Sequence, residues 1–132
     1  MTDKRALTWG EILDALAKVI AEDPEAGVQP VIFDFAWLPP SGQFYCDRGD
    51  YARRAIEVGN GDSPEMSGKK FAQLLHDEIG TVREAWKGGD YTCHKHTEVV
   101  VASRFGQPSD TRIVGVRRRY YGTLLETKYE ED

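Results

Sequence analysis

Ser67-Gly68-Lys69-Lys70-Phe71-Ala72-Gln73-Leu74-Leu75-His76-Asp77-Glu78-Ile79-Gly80, running on into Thr81 to Thr92, decides the fold class. Phe71, Leu74, Leu75 and Ile79 recur at three- and four-residue steps, which predicts a helix with one buried side. Gly80 is a candidate for the left-handed residue just past its end. Thr81 to Trp86 and Asp90 to Thr92 then flank Lys87-Gly88-Gly89, where paired glycines suit the positive φ of a hairpin turn.

Upstream, Thr8-Trp9-Gly10-Glu11 has the spacing of a capping box. Ile12, Leu13, Leu16, Val19 and Ile20 continue it as an apolar helical stripe, which Pro24 stops. Val31 to Leu38 is β-branched and aromatic and predicts a strand, with Asp34 its one charge. Pro39-Pro40-Ser41-Gly42 predicts a turn. Phe44 and Tyr45 predict a short strand, Asp47 to Asp50 a loop, and Arg53 to Val58 a strand with Ala55 and Glu57 on one face. Glu98 to Phe105 and Ile113 to Tyr121 predict two more strands, separated by a turn at Gly106 to Asp110. The order α-β-β-β-α-β-β-β-β implies an α+β fold, two helices packed on one face of a mainly antiparallel sheet. Residues 1–125 are expected to form a single domain, with 126–132 an acidic, disordered tail.

The 132 residues carry 17 Lys and Arg against 22 Asp and Glu, a net charge of −5 that argues against nucleic acid as a partner. No apolar run nears the ~20 residues of a membrane span, and the first residues lack a signal-peptide pattern. Two cysteines, Cys46 and Cys93, are too few for a secreted disulfide framework, so a cytoplasmic setting is expected.

Catalytic signatures are sparse. On a strand, His94 and His96 of Cys93-His94-Lys95-His96 would share a face, but two histidines do not complete a metal site, and solvated histidines are the plainer reading. No nucleophile elbow or phosphate loop occurs, and no cofactor is implied. Arg117-Arg118-Arg119-Tyr120-Tyr121 joins cations to rings, yet strand alternation splits the cluster between two faces.

The two segments Asp47-Arg48-Gly49-Asp50-Tyr51 and Trp86-Lys87-Gly88-Gly89-Asp90-Tyr91-Thr92 are richer. Each combines a cation, glycine, an acid and a ring in a short loop. Glycine lets backbone N–H groups approach a ligand, a cation neutralises a phosphate or carboxylate, and a ring stacks on a planar group. The alternative is a pair of ordinary turns with surface ion pairs.

On these segments the chain resembles a family of small uncharacterised proteins of tailed bacteriophages and of bacteria, often actinobacteria. Their pattern is a Tyr-Arg-Gly-x-Tyr block leading into a strand ending Ala-Phe-Glu, then a helix and a Tyr-Lys-Gly-Gly-Asp-Tyr hairpin. Arg48, Gly49, Tyr51, Ala55 and Glu57 match the first block; Lys87, Gly88, Gly89, Asp90, Tyr91 and Thr92 match the second. Asp47, Trp86 and Cys93 depart from it, the last where the family has Met, so the Cys-His-x-His cluster is not a shared feature. The resemblance spans about residues 31 to 106 and implies a phage setting without implying a reaction.

The expectation is an accessory protein that antagonises host defence by non-covalent binding. It would sequester a small anionic, nucleotide-like ligand or mask a host defence protein, as a monomer or as a homo-oligomer. In the ligand version Arg48 and Lys87 hold anionic groups, Gly49, Gly88 and Gly89 supply backbone donors, and Tyr51, Trp86 or Tyr91 stacks. Asp90 and Glu57 orient the cations or accept from hydroxyls. The alternative is a small nucleotide-directed hydrolase or lyase using His94, His96 and Glu98.

Overall fold

The computed structural model describes residues 5–35, 37–48, 52–84, 89–102 and 111–129. They form an α+β fold. The elements are α1 (Trp9–Glu22), α2 (Glu25–Val28), β1 (Val31–Phe33), β2 (Pro40–Arg48), β3 (Ala52–Val58), α3 (Gly68–Glu78), β4 (Val82–Glu84), β5 (Asp90–Thr92), β6 (Glu98–Ala102), β7 (Thr111–Arg119) and β8 (Gly122–Tyr129). Among the described residues no helix is long and apolar enough to cross a membrane.

The capping box at Thr8 forms as the sequence predicts. Glu11 N donates to Thr8 Oγ1 and Thr8 N donates to Glu11 Oε1 at 2.9 Å. Trp9, Ile12 and Leu16 are fully buried on one side of α1. The indole Nε1 of Trp9 donates to Leu75 O at 2.8 Å, tying α1 to α3 through a satisfied buried donor. Ser67 caps α3 by accepting from Lys70 N, and Gly80 takes φ +92 two residues past its end. Phe71 and Leu75 enter the same core as Phe33, Phe44, Ile56 and Leu125.

The strand pairing is mainly antiparallel, as expected, but it is divided among three sheets rather than one and includes two parallel pairs. The strands form two mixed three-stranded sheets, β2-β3-β6 and β1-β8-β7, and the antiparallel β4-β5 hairpin. β3 pairs parallel with β6 and β1 parallel with β8, while β2–β3, β4–β5 and β7–β8 are antiparallel. A parallel partner must be reached by a long crossover, so local periodicity carries no sign of it.

Three local expectations also change. The strand predicted over Val31 to Leu38 stops at Phe33, because Asp34 turns to accept from Thr127 N and Phe33 N donates back to Leu38 O. The turn predicted at Pro39 to Gly42 instead starts β2 at Pro40. This is tolerated because β2 is an edge strand with a bulge between Pro40 and Phe44 and a positive φ at Gly42. The loop predicted over Asp47 to Asp50 begins later, since β2 runs to Arg48.

Finally, β8 occupies Gly122–Tyr129, entering the stretch expected to be a disordered tail from 126. Thr123, Leu124 and Leu125 are buried, and Gly122 makes the return possible: a Cβ there would lie 2.0 Å from Pro30 O. The turn predicted at Gly106 to Asp110 lies outside the described residues.

Candidate functional site

The two loops singled out by sequence stand on hairpins that share one buried anchor. Arg54 of β3 is 1% exposed, and its guanidinium crosses to the end of α3. Its Nε lies 2.8 Å from Glu78 Oε2, a close ion pair without hydrogen-bond alignment, while Nη2 donates to Thr81 O at 3.0 Å and Thr81 Oγ1 at 3.2 Å. Arg83 of β4 grips the same carboxylate with two bonds, Nε to Oε2 at 2.6 Å and Nη2 to Oε1 at 3.0 Å. The bond to Glu78 raises the Arg83 pKa further, so this arginine stays charged.

Thr81 closes the arrangement. Its hydroxyl donates to Glu78 O at 2.7 Å, and its carbonyl accepts from Cys93 N at the foot of β5. One carboxylate therefore joins β3, α3 and β4. Glu78 is buried and Arg83 is partly exposed, so the cluster carries one cation in excess, facing the hairpin rather than the core.

The predicted residues distribute around this anchor unevenly. Arg48 ends β2 opposite Ala52, two register positions beyond the Cys46–Arg54 pair, and β4 lies alongside β2. Gly89 has φ +92 and leads into β5, where Asp90 is exposed opposite Glu84 and Tyr91 is half-buried opposite Arg83. Gly49, Tyr51, Trp86, Lys87 and Gly88 lie outside the described residues.

Glu57 does not join the anchor. Successive residues of β3 face opposite sides, and Glu57 shares its face with Ala55, away from Arg54. It lies five residues along from Ala52, about 17 Å at strand rise. There it is 8% exposed and accepts from Tyr45 Oη at 2.6 Å. That bond, then burial, raises the Tyr45 pKa.

The histidine segment is a turn rather than a strand. His94 N donates to Thr97 Oγ1, Thr97 N returns to His94 O, and His96 N donates to His94 Nδ1. Both rings are exposed, with centroids 6.1 Å apart, and Glu98 is an exposed strand start. No group of three potential metal ligands exists among the described residues. The turn instead packs on α1: Gly10 N donates to Lys95 O, and a Cβ at Gly10 would meet Lys95 at 2.9 Å. Cys93 is buried, and burial pushes its thiol up despite the nearby Arg54, which argues against a thiolate nucleophile.

Sequence reasoning missed Arg54, Glu78 and Arg83. The available signal was Arg54 beside the apolar residues Ala55 and Ile56 of β3 and Glu78 at the end of an amphipathic helix, but their partnership depends on tertiary packing. No family model, curated protein or solved structure matches the chain.

Proposed function

We propose that the chain is a non-catalytic binding protein that sequesters a small anionic, nucleotide-like ligand at the ends of the β2–β3 and β4–β5 hairpins. In the phage setting implied by the sequence resemblance, it acts as an accessory protein against host defence. The observation that carries this reading is the shared Glu78 carboxylate. It joins β3, α3 and β4, so the feet of the two hairpins that carry the Arg48 and Lys87 segments in sequence share one rigid base. Preorganised cations bind an anion without first losing side-chain and loop freedom. Arg83, half turned to solvent with its planar fork of donors, adds a third cation at the base of the hairpin.

The hydrolase alternative draws less support. His94 and His96 are exposed and hydrogen-bonded within their own turn, and Glu98 is exposed at the start of β6, whereas general acid–base chemistry needs groups oriented around one reacting atom. Calorimetry with a panel of cyclic and linear nucleotides tests the binding reading. Heat with at least one member, abolished in the Arg48→Ala, Lys87→Ala double variant, is the expected result. Absence of heat across the panel, or turnover of a bound nucleotide by chromatography, overturns it.

A further inference from the structure

The turn between β7 and β8 presents a second surface, built from rings. Tyr120 is 90% exposed and Trp37 is 63% exposed. Tyr121 sits between them, its ring centroid 5.9 Å from Trp37 and 5.1 Å from Tyr120, with interplanar angles of 75° and 83°. Rings crossed at such angles form a ridge with shallow clefts rather than a flat plate.

The ridge is held rigidly. Arg118 Nη1 donates to Gly122 O at 2.9 Å and to Arg119 O, Gln29 Nε2 donates to Tyr120 O at 3.3 Å, and Asp23 holds Arg118 by a 3.0 Å contact. Three carbonyls around the turn are thus bound by side chains, two by Arg118 of the same hairpin and one by Gln29 from a distant segment. Trp37 has φ +55, a conformation that residues other than glycine rarely adopt, and it directs an indole into solvent where the core gains nothing. Locally strained backbone with an exposed, prearranged aromatic is a pattern of binding sites.

Charge identifies the occupant. Arg117 pairs with Glu126 at 3.3 Å and Arg118 with Asp23, while Arg119 is exposed and takes no ion pair among the described residues. One available cation is too little for a nucleic-acid backbone in a chain of net charge −5, but it complements a single carboxylate. We propose that this ridge docks an extended, proline-containing acidic segment of a partner protein. Its prolines sit in the clefts between Trp37, Tyr121 and Tyr120, and a carboxylate meets Arg119. Proline-rich segments lose little freedom on binding and favour aromatic-lined clefts, and Trp, Tyr and Arg are the side chains that most often anchor protein interfaces. This inference is independent of the ligand reading, because no residue of the β2–β3 or β4–β5 hairpin takes part.

The test is a titration of the full chain with a synthetic peptide of repeated Pro-Pro-Glu, followed through the indole N–H resonance of Trp37, assigned by its loss in Trp37→Ala. The expected result is a saturable shift, weakened about tenfold or more in Tyr120→Ala, a residue too exposed to affect folding. Arg119→Glu should lose the acidic peptide and gain its Pro-Pro-Lys counterpart. No shift with the acidic peptide, equal binding of both peptides by the unaltered chain, or a shift produced only by oligo-dT overturns the proposal.

Discussion

Arginine does opposite jobs in two regions of this molecule. At the hairpin junction Arg54 and Glu78 are 2% and 5% exposed, and neither has water as an alternative partner. At the β7–β8 turn Arg118 and Asp23 are 26% and 48% exposed, and the same type of contact merely orients a loop. Contact length does not distinguish them, at 2.8 and 3.0 Å. Solvent access does. A buried pair is costly to assemble and far more costly to halve, whereas an exposed pair is screened on both sides. The junction therefore specifies where the hairpins stand, and the turn can change its surface chemistry without disturbing the fold.

The sharpest way to break that comparison is to remove one partner from each pair. Glu78→Ala leaves Arg54 charged and buried without its carboxylate, with only neutral partners such as Thr81 beside it, and should cost about 3–5 kcal/mol in urea unfolding. Asp23→Ala should cost about 1 kcal/mol or less, because Arg118 keeps its turn carbonyls and is hydrated. Similar losses from the two substitutions would mean that the junction is wetter than its burial indicates.

Two glycines sharpen the contrast between the hairpin turns. Gly122 and Gly89 both have positive φ, +153 and +92. At Gly122 a Cβ would collide with Pro30 O, while at Gly89 its nearest neighbour is Tyr91 at 3.7 Å. Gly89→Ala should therefore cost only the backbone term, about 1–2 kcal/mol. Gly122→Ala should cost more than that, since Pro30 O also accepts from Thr123 N at the β1–β8 junction and cannot withdraw freely. Thermal unfolding of the two variants side by side measures the difference.

What the sequence makes legible is what neighbours along the chain determine. The Thr8 box, the helix start near Ser67, the Gly80 stop and the β4–β5 hairpin all depend on residues within a few positions of one another. The parallel pairings of β1 with β8 and β3 with β6 depend on segments far apart, and no periodicity within either strand encodes the partner. The same limit applies to the site. Arg48 and the Lys87 turn attract notice through local composition, but the carboxylate that links their hairpins is Glu78, which reads as one more charge on a helix. Asp34 shows how a misleading local signal arises. Inside a run of apolar residues it resembles a tolerated strand charge, yet its bonds to Thr127 end the strand.

The smallest effect expected is also the one with the clearest sign. Hydrogen bonds from Arg5, then from the Thr8 backbone, hold the Glu11 carboxyl at a pKa of about 2, below the ordinary 4.5. A carboxyl depressed in the folded state contributes its stability above the unfolded value, and that contribution disappears as pH falls from about 4.5 towards 2. Glu11 is partly exposed and Arg5 more so, at 38% and 69%, so solvent screening reduces the effect to that of an ordinary cap, about 0.5–1 kcal/mol. Glu11→Gln keeps one acceptor for Thr8 N but cannot titrate. Its unfolding free energy should lie slightly below that of the unaltered chain at pH 7 and converge with it by pH 2–3, whereas parallel curves across that window would assign the acid sensitivity of α1 to another group.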